Sequence, residues 1–318
     1  MAYNKKSSFV LLFQVLILVL ALTGVSRGEQ EGVGDVDTKN VTIVEGGVSS
    51  RIYVPKSVNS TRRLPLLVFY HGGSFIYNRA FSPFYDNYIS ALVRKANIVA
   101  FSVDYRYYIP TAYDDSWLAL KWVASHASGH GPEAWLNSLA DFERVYVAGD
   151  SAGANIAHNL LMKQQQQRED VVNIKVKGMA LLHPYFWGSM LIGNETGLDV
   201  PSRSYAAHIW LEAVKKPELW GTNLGNQLLD DPRVNPLMDS RLLSLPCGKV
   251  LVVVGDEDIF KDRGLVYYDA LRKNGWTGEP KLLMTEGKHC FFLTDIDSTP
   301  LSKVIFEHLS SFINGVLI

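Results

Sequence analysis

The sequence predicts an α/β fold: a mostly parallel, doubly wound sheet with an antiparallel hairpin at its N-terminal edge and a cap insertion late in the chain. Three observations carry this. Short, nearly continuous apolar runs recur along the chain, as expected of strands buried on both faces. Segments with helical periodicity lie between them, so strand and helix alternate as in βαβ units. Two β-rich stretches near the N-terminus flank Glu45-Gly46-Gly47, a hairpin signal.

Taken in order, Val41–Val44 and Ser50–Val54 form that hairpin. The buried strands are Leu66–Tyr70, Ile98–Val103, Val145–Ala148, Val176–Leu182 and Val250–Val254, with a further strand at Lys281–Thr285. Helices are expected over Phe84–Lys95, Tyr113–Ser125, Ala154–Lys163 and Leu265–Asn274. Residues 184–240 carry no strand run and are rich in Trp, Pro, Asn and Asp. An insertion there can cover the carboxyl edge of the sheet, where such folds bind ligands. Residues 29–318 are therefore read as one domain with this cap.

The first 28 residues read differently. Lys5 and Lys6 precede a 17-residue stretch from Phe9 to Val25, apolar except for Gln14, Thr23 and Gly24, followed by the small residues Ser26 and Gly28. This is the layout of a secretory signal peptide, and the run is short for a membrane span. The expectation is a secreted or secretory-pathway protein without a stable span after cleavage. The rival readings are an uncleaved anchor, or a cytoplasmic protein if the N-terminus is not a working signal. Asn40-Val41-Thr42, Asn59-Ser60-Thr61 and Asn194-Glu195-Thr196 are glycosylation sequons. Asn59 and Asn194 are the expected acceptors because their surroundings read as loops.

The 318 residues have a formal net charge of −1, with 47% hydrophobic and 20% charged residues. That excludes intrinsic disorder and gives no electrostatic footprint for nucleic acid. Cys247 and Cys290 are too few for a disulfide framework and are expected to be free thiols. The absence of CxxC and HExxH patterns argues against a metal site, and no cofactor is expected.

Gly149-Asp150-Ser151-Ala152-Gly153 matches G-x-S-x-G. A pattern this short arises by chance in roughly one chain in ten of this length, so its context decides. The strand run Val145–Ala148 precedes it and a helix pattern from Ala154 follows. A sharp strand-to-helix turn presents a serine at a helix N-terminus, where free N–H groups favour developing negative charge. A serine hydroxyl needs a base. Gly255-Asp256-Glu257-Asp258 and Glu286-Gly287-Lys288-His289 follow the next two strands, and His289 alone of eight histidines has this placement. Any of Asp256, Glu257 and Asp258 could orient its imidazole. His71-Gly72-Gly73-Ser74, after the strand Leu66–Tyr70, lets backbone N–H groups approach an oxyanion.

Together His71-Gly72-Gly73, Gly149 to Ile156, Asp258 to Gly264 and His289 resemble the plant carboxylesterases of the hormone-sensitive-lipase group, from about Val41 to the C-terminus. The resemblance implies an α/β-hydrolase fold, carboxylic-ester hydrolysis and no metal. It maps the catalytic acid onto Asp258, beside Ser151 and His289. It places oxyanion donors at Ala152, Gly73 and either Gly72 or Ser74. The chain departs from the family where a signal-like run replaces the usual N-terminal segment, and where the loop after Asp104-Tyr105-Arg106 is shorter. Both changes touch the lid. Ser74, Phe75, Ile76, Tyr185, Phe186, Trp187 and Phe291 flank the motifs and are expected to give an apolar pocket for small neutral esters. Related chains include gibberellin receptors, which keep the serine and lose the histidine, and hydroxyisoflavanone dehydratases. A non-hydrolytic small-molecule receptor and an eliminase or cyclase are therefore the alternatives, and His289 speaks against the receptor.

Overall fold

A computed structural model describes residues 35–43, 47–58, 62–166, 173–294 and 300–316. The signal-like segment 1–28 and the sequon at Asn59 lie outside these residues. An eight-stranded sheet organises the rest, in the order β1-β2-β4-β3-β5-β6-β7-β8. Its strands are Val36–Ile43 (β1), Val48–Pro55 (β2), Leu64–Tyr70 (β3), Val99–Asp104 (β4), Ala140–Asp150 (β5), Val176–Leu182 (β6), Lys249–Gly255 (β7) and Glu279–Thr285 (β8). β1 and β2 pair antiparallel, β2 runs antiparallel to β4, and β3 to β8 are parallel. The hairpin strands are longer than the sequence suggests. β5 also begins earlier, because its register against β3 shifts at Pro65/Leu66 and Ala140 and Asp141 pair before the irregularity.

The apolar runs are continuous because both faces are covered. Leu66, Val68 and Tyr70 of β3 join one core, and Leu67 and Phe69 join the other. The first face holds the helices Thr111–Ala124 and Ala152–Gln166, with buried Tyr267 and Leu271 of Lys261–Lys273. The second holds Pro83–Ala96 and Pro300–Asn314. In the last helix Ile305, Phe306, Leu309, Phe312 and Ile313 form the buried stripe, at helical spacing. Each large apolar side chain so buried contributes about 1.5–3 kcal/mol.

Residues 184–240 contain no strand and two α-helices, Val200–Ala213 and Asn223–Leu229, with short 3₁₀ turns. The helix Val200–Ala213 starts where Asp199 caps the Ser202 N–H at 2.7 Å. Its Ala206, Ala207, Ile209, Trp210, Leu211 and Ala213 are buried on several sides, which erases the stripe that would have announced a helix. The segment is fastened to the sheet body by a buried ion pair, Arg263 Nε to Glu195 Oε1 at 2.6 Å. Arg263 also donates to the Met190 carbonyl at 2.6 Å. Among the described residues no helix is long and apolar enough to cross a membrane. Cys247 and Cys290 are free. Burial pushes the Cys247 thiol up to about 12.

Candidate active site

Five segments converge beyond the carboxyl ends of the parallel strands: His71–Ser74 after β3, Ser151 after β5, His183 after β6, Asp258 after β7 and His289 after β8. Ser151 occupies the left-handed region at φ 51°, between β5 and the helix Ala152–Gln166. A non-glycine residue there costs on the order of 1–3 kcal/mol, so the surroundings must hold it. Its N–H donates to the Leu182 carbonyl at 2.9 Å, and its own carbonyl accepts from Asn155 and Tyr185 at 3.1 Å each. Gly149 and Gly153 are required by packing: a Cβ on either would run into the Tyr70 carbonyl.

Ser151 Oγ lies 2.8 Å from His289 Nε2, and His289 Nδ1 lies 2.8 Å from Asp258 Oδ2. The structure thus singles out Asp258 among three neighbouring acids. Asp256 and Glu257 are exposed, and Asp256 accepts the Gly287 N–H instead. Asp258 Oδ1 accepts the Phe260 N–H at 2.9 Å. Burial disfavours the Asp258 charge, but His289 and His183 outweigh it and hold the carboxyl far below the usual carboxylate range. For His289, burial pulls down while Asp258, followed by Asp150, raises it above the ordinary 6.5.

The loop after β3 corrects one expectation. The Gly72 N–H is already engaged, by Asp150 Oδ1 at 2.9 Å and Tyr85 Oη at 2.7 Å. A Cβ on Gly72 would strike the Asp150 carboxylate, so this contact is what the glycine is for. The N–H groups of Gly73, Ser74 and Ala152 find no acceptor among the described residues. Gly73 sits at φ 111° and Ser74 at φ 56°. Burial raises the Asp150 carboxyl to about 6, against the hydrogen bonds from Tyr85 and Gly72. Its carboxyl, accepting from the Gly72 N–H and Tyr85 Oη, ties the loop to the turn bearing Ser151.

The expected pocket residues divide. Ser74 and Phe291 are partly exposed. Phe75 and Tyr185 are fully buried, so they offer no surface to a ligand. Phe75 is wedged edge-on against Tyr113, Tyr185 and Trp210, and Tyr185 Oη donates to the Ala206 carbonyl at 2.9 Å. Phe186 stacks on Tyr267 and Trp187 packs on Phe260. These aromatics back the wall rather than line it, while Ile76 keeps partial exposure.

One residue escaped sequence reasoning. His183, fully buried at the end of β6, puts Nδ1 3.1 Å from Asp258 Oδ2. Its position immediately after a parallel strand was the available signal. His183, His289 and Cys290 each offer one metal-ligating atom, all within 4.8 Å of one another. Both ring nitrogens of His289 are engaged, by Ser151 and Asp258, and His183 Nδ1 also meets Asp258.

Residues 67–293 match the model of a family described as the alpha/beta hydrolase fold. The chain is 38% identical over 306 residues to "probable carboxylesterase 13" of Arabidopsis thaliana, covering 91% of this chain and 90% of that protein. It is 36% identical over 305 residues to a 2-hydroxyisoflavanone dehydratase of Glycine max, covering 93% and 92%. Among solved structures it resembles a thermophilic carboxylesterase cloned from a metagenomic library, with a TM-score of 0.70, 26% identity and 96% of each chain covered. An esterase of Pyrobaculum calidifontis superposes with a TM-score of 0.73 at 22% identity, covering 99% of this chain and 95% of that one, which shows the shared fold.

Proposed function

Because the chain belongs to the alpha/beta hydrolase fold family, among the plant carboxylesterases, we propose that it is a serine carboxylesterase acting on small neutral esters. The observation that carries this reading is the hydrogen-bonded chain from Ser151 through His289 to Asp258, with both links at 2.8 Å. Ser151 Oγ attacks the ester carbonyl while His289 Nε2 takes its proton. The oxyanion that forms is held by the N–H groups of Gly73, Ser74 and Ala152. Asp258 keeps the His289 Nδ1 proton in place and stabilises the imidazolium. His289 then returns the proton to the leaving alcohol, and water repeats the cycle on the acyl-enzyme.

Chromogenic esters of increasing acyl length test this reading. We expect acetyl and butyryl esters to turn over and palmitoyl esters to fail, because fully buried Phe75, Tyr185 and Trp210 fill the space behind the oxyanion loop. His289 must be neutral to act, so kcat/KM should climb through an acid limb above pH 6.5, the direction in which Asp258 moves it. Equal rates at all chain lengths, or no pH limb in that range, would count against the assignment. The dehydratase relative makes elimination the second reading. An enzyme that eliminates water from a 2-hydroxy flavonoid yet leaves every ester intact would support it.

We further propose that residues 1–28 are removed in the secretory pathway and that Asn194 carries a glycan. Asn194 is exposed in a 3₁₀ turn, whereas the Asn40 side chain accepts from Arg51 Nε at 2.7 Å. Expression of the full-length chain in plant cells with a C-terminal tag should give a product beginning near Glu29 whose mass falls on glycosidase treatment. A full-length, unglycosylated, cytosolic product would overturn this and leave the esterase reading untouched.

A further inference from the structure

We propose that His183 is a positioning residue for the Ser151–His289–Asp258 chain, a second N–H donor to the carboxylate oxygen that His289 uses. The proposal rests on the hydrolytic reading above. Asp258 Oδ2 receives His289 Nδ1 at 2.8 Å and His183 Nδ1 at 3.1 Å, while Oδ1 is taken by the Phe260 N–H. All three contacts together fix the carboxylate's rotation, so its lone pair stays aimed at His289.

The His183 ring has no room to turn. The backbone N–H of His183 is tied to the Val253 carbonyl at 2.8 Å, and that backbone sits at φ 46° just before Pro184. The ring is packed by Phe292 and Phe291, with centroids 5.3 and 5.9 Å away. Gly255 leaves it space, since a Cβ there would collide with Cε1 of His183.

The tautomer follows from the partners. The Cys290 N–H also lies 3.2 Å from Nδ1. A bare Nδ1 would accept from Cys290 but would set its lone pair against the Asp258 carboxylate. Nε2 has no partner among the described residues. Protonating Nδ1 takes this acceptor from the Cys290 N–H but gives the charged Asp258 oxygen a donor, and a hydrogen bond to a charged group outweighs one between neutral groups, so the proton belongs on Nδ1. Burial keeps the ring neutral by lowering its basicity, opposed by Asp258. The ionisable groups facing this cluster are Asp258, His289, the Cys290 thiol and, beyond it, Asp150, whose Oδ2 lies 3.8 Å from Cys290 Sγ. Asp256 and Glu257 are exposed.

A neutral donor to Asp258 spreads the carboxylate's charge and so moderates how strongly it holds the His289 proton. His183→Phe keeps a ring and removes the donor. His183→Asn keeps an N–H close to the place of Nδ1. On a short-chain chromogenic ester, His183→Phe should lower kcat about tenfold with KM within about twofold, and move the acid limb up by about one pH unit, the scale of one lost hydrogen bond to a charged group. His183→Asn should restore both the rate and the limb. If the two variants lose rate alike and neither moves the limb, His183 is merely packing and the proposal fails. Nitrogen-15 histidine NMR of the wild-type chain adds a readout that needs no turnover. Protons on Nδ1 of both His183 and His289 are expected, and an unprotonated His183 Nδ1 overturns the proposal whether or not esters are hydrolysed. A chain showing both protons but cleaving no ester keeps this arrangement and loses the hydrolase reading.

Discussion

Ser151→Ala is expected to lower kcat for short-chain esters by about 10⁶-fold, and His289→Ala by a comparable factor, because members of a nucleophile–base pair act as one unit. Removing either leaves only binding and the oxyanion donors, which retain about 10³–10⁴ over water. The fold should not notice the loss of the hydroxyl. The φ of 51° at position 151 is as strained for alanine as for serine, and the backbone bonds to Leu182, Asn155 and Tyr185 involve no side-chain atom of Ser151. Thermal unfolding of Ser151→Ala should stay within about 2 °C of wild type, equivalent to about 1 kcal/mol in a chain of this size. Circular-dichroism melts beside steady-state assays check both halves. Full activity in His289→Ala would remove the base from the account.

Asp258→Asn carries the second largest effect, a fall in kcat of about 10⁴ with the fold intact. The reason is proton placement. Asp258 Oδ2 accepts from His289 Nδ1, which keeps Nε2 bare to take the Ser151 proton. An amide N–H at that place would face Nδ1 as a donor and drive the ring to the opposite tautomer, with Nε2 protonated and useless as a base. Asp256→Asn and Asp262→Asn are the controls. Asp256 is exposed and its carboxylate accepts the Gly287 N–H at 2.8 Å, and Asp262 accepts the Asn194 N–H. An asparagine carbonyl serves both bonds, so their rates should stay within about tenfold of wild type, near the cost of one perturbed hydrogen bond. Steady-state kinetics on the three variants decides it: a large loss at Asp256 with none at Asp258 would overturn the choice.

What the sequence made legible follows from how directly each feature is written locally. The parallel strands announce themselves because both faces are buried and the apolar runs are unbroken, as in Val250–Val254. The G-x-S-x-G turn is readable because glycine is forced at 149 and 153 by the nearby Tyr70 carbonyl. The helix Val200–Ala213 was invisible for the opposite reason, since burial on several sides removes the amphipathic stripe. The identity of the acid was ambiguous by spacing alone; only the fold turns Asp258 inward and Asp256 and Glu257 outward. Gly72 and Ser74 stay open as donors because a Gly-Gly pair does not reveal which N–H faces the ligand. It takes the Asp150 carboxylate, 78 residues away in the chain, to show that Gly72 is already occupied. His183 is missed likewise, because its partner is Asp258, 75 residues further on. The aromatics beside the motifs look like a pocket in one dimension, but Phe75 and Tyr185 turn out to be packed against one another.

The central claim is that Ser151 is a nucleophile that forms a covalent intermediate. Its most direct test is intact-mass spectrometry of the full chain after incubation with a fluorophosphonate, followed by peptide mapping. The account predicts a single phosphonyl adduct on Ser151, formed in the wild type and absent from Ser151→Ala and His289→Ala. No adduct on active wild-type enzyme, or an adduct that maps to another residue and persists in Ser151→Ala, would contradict it.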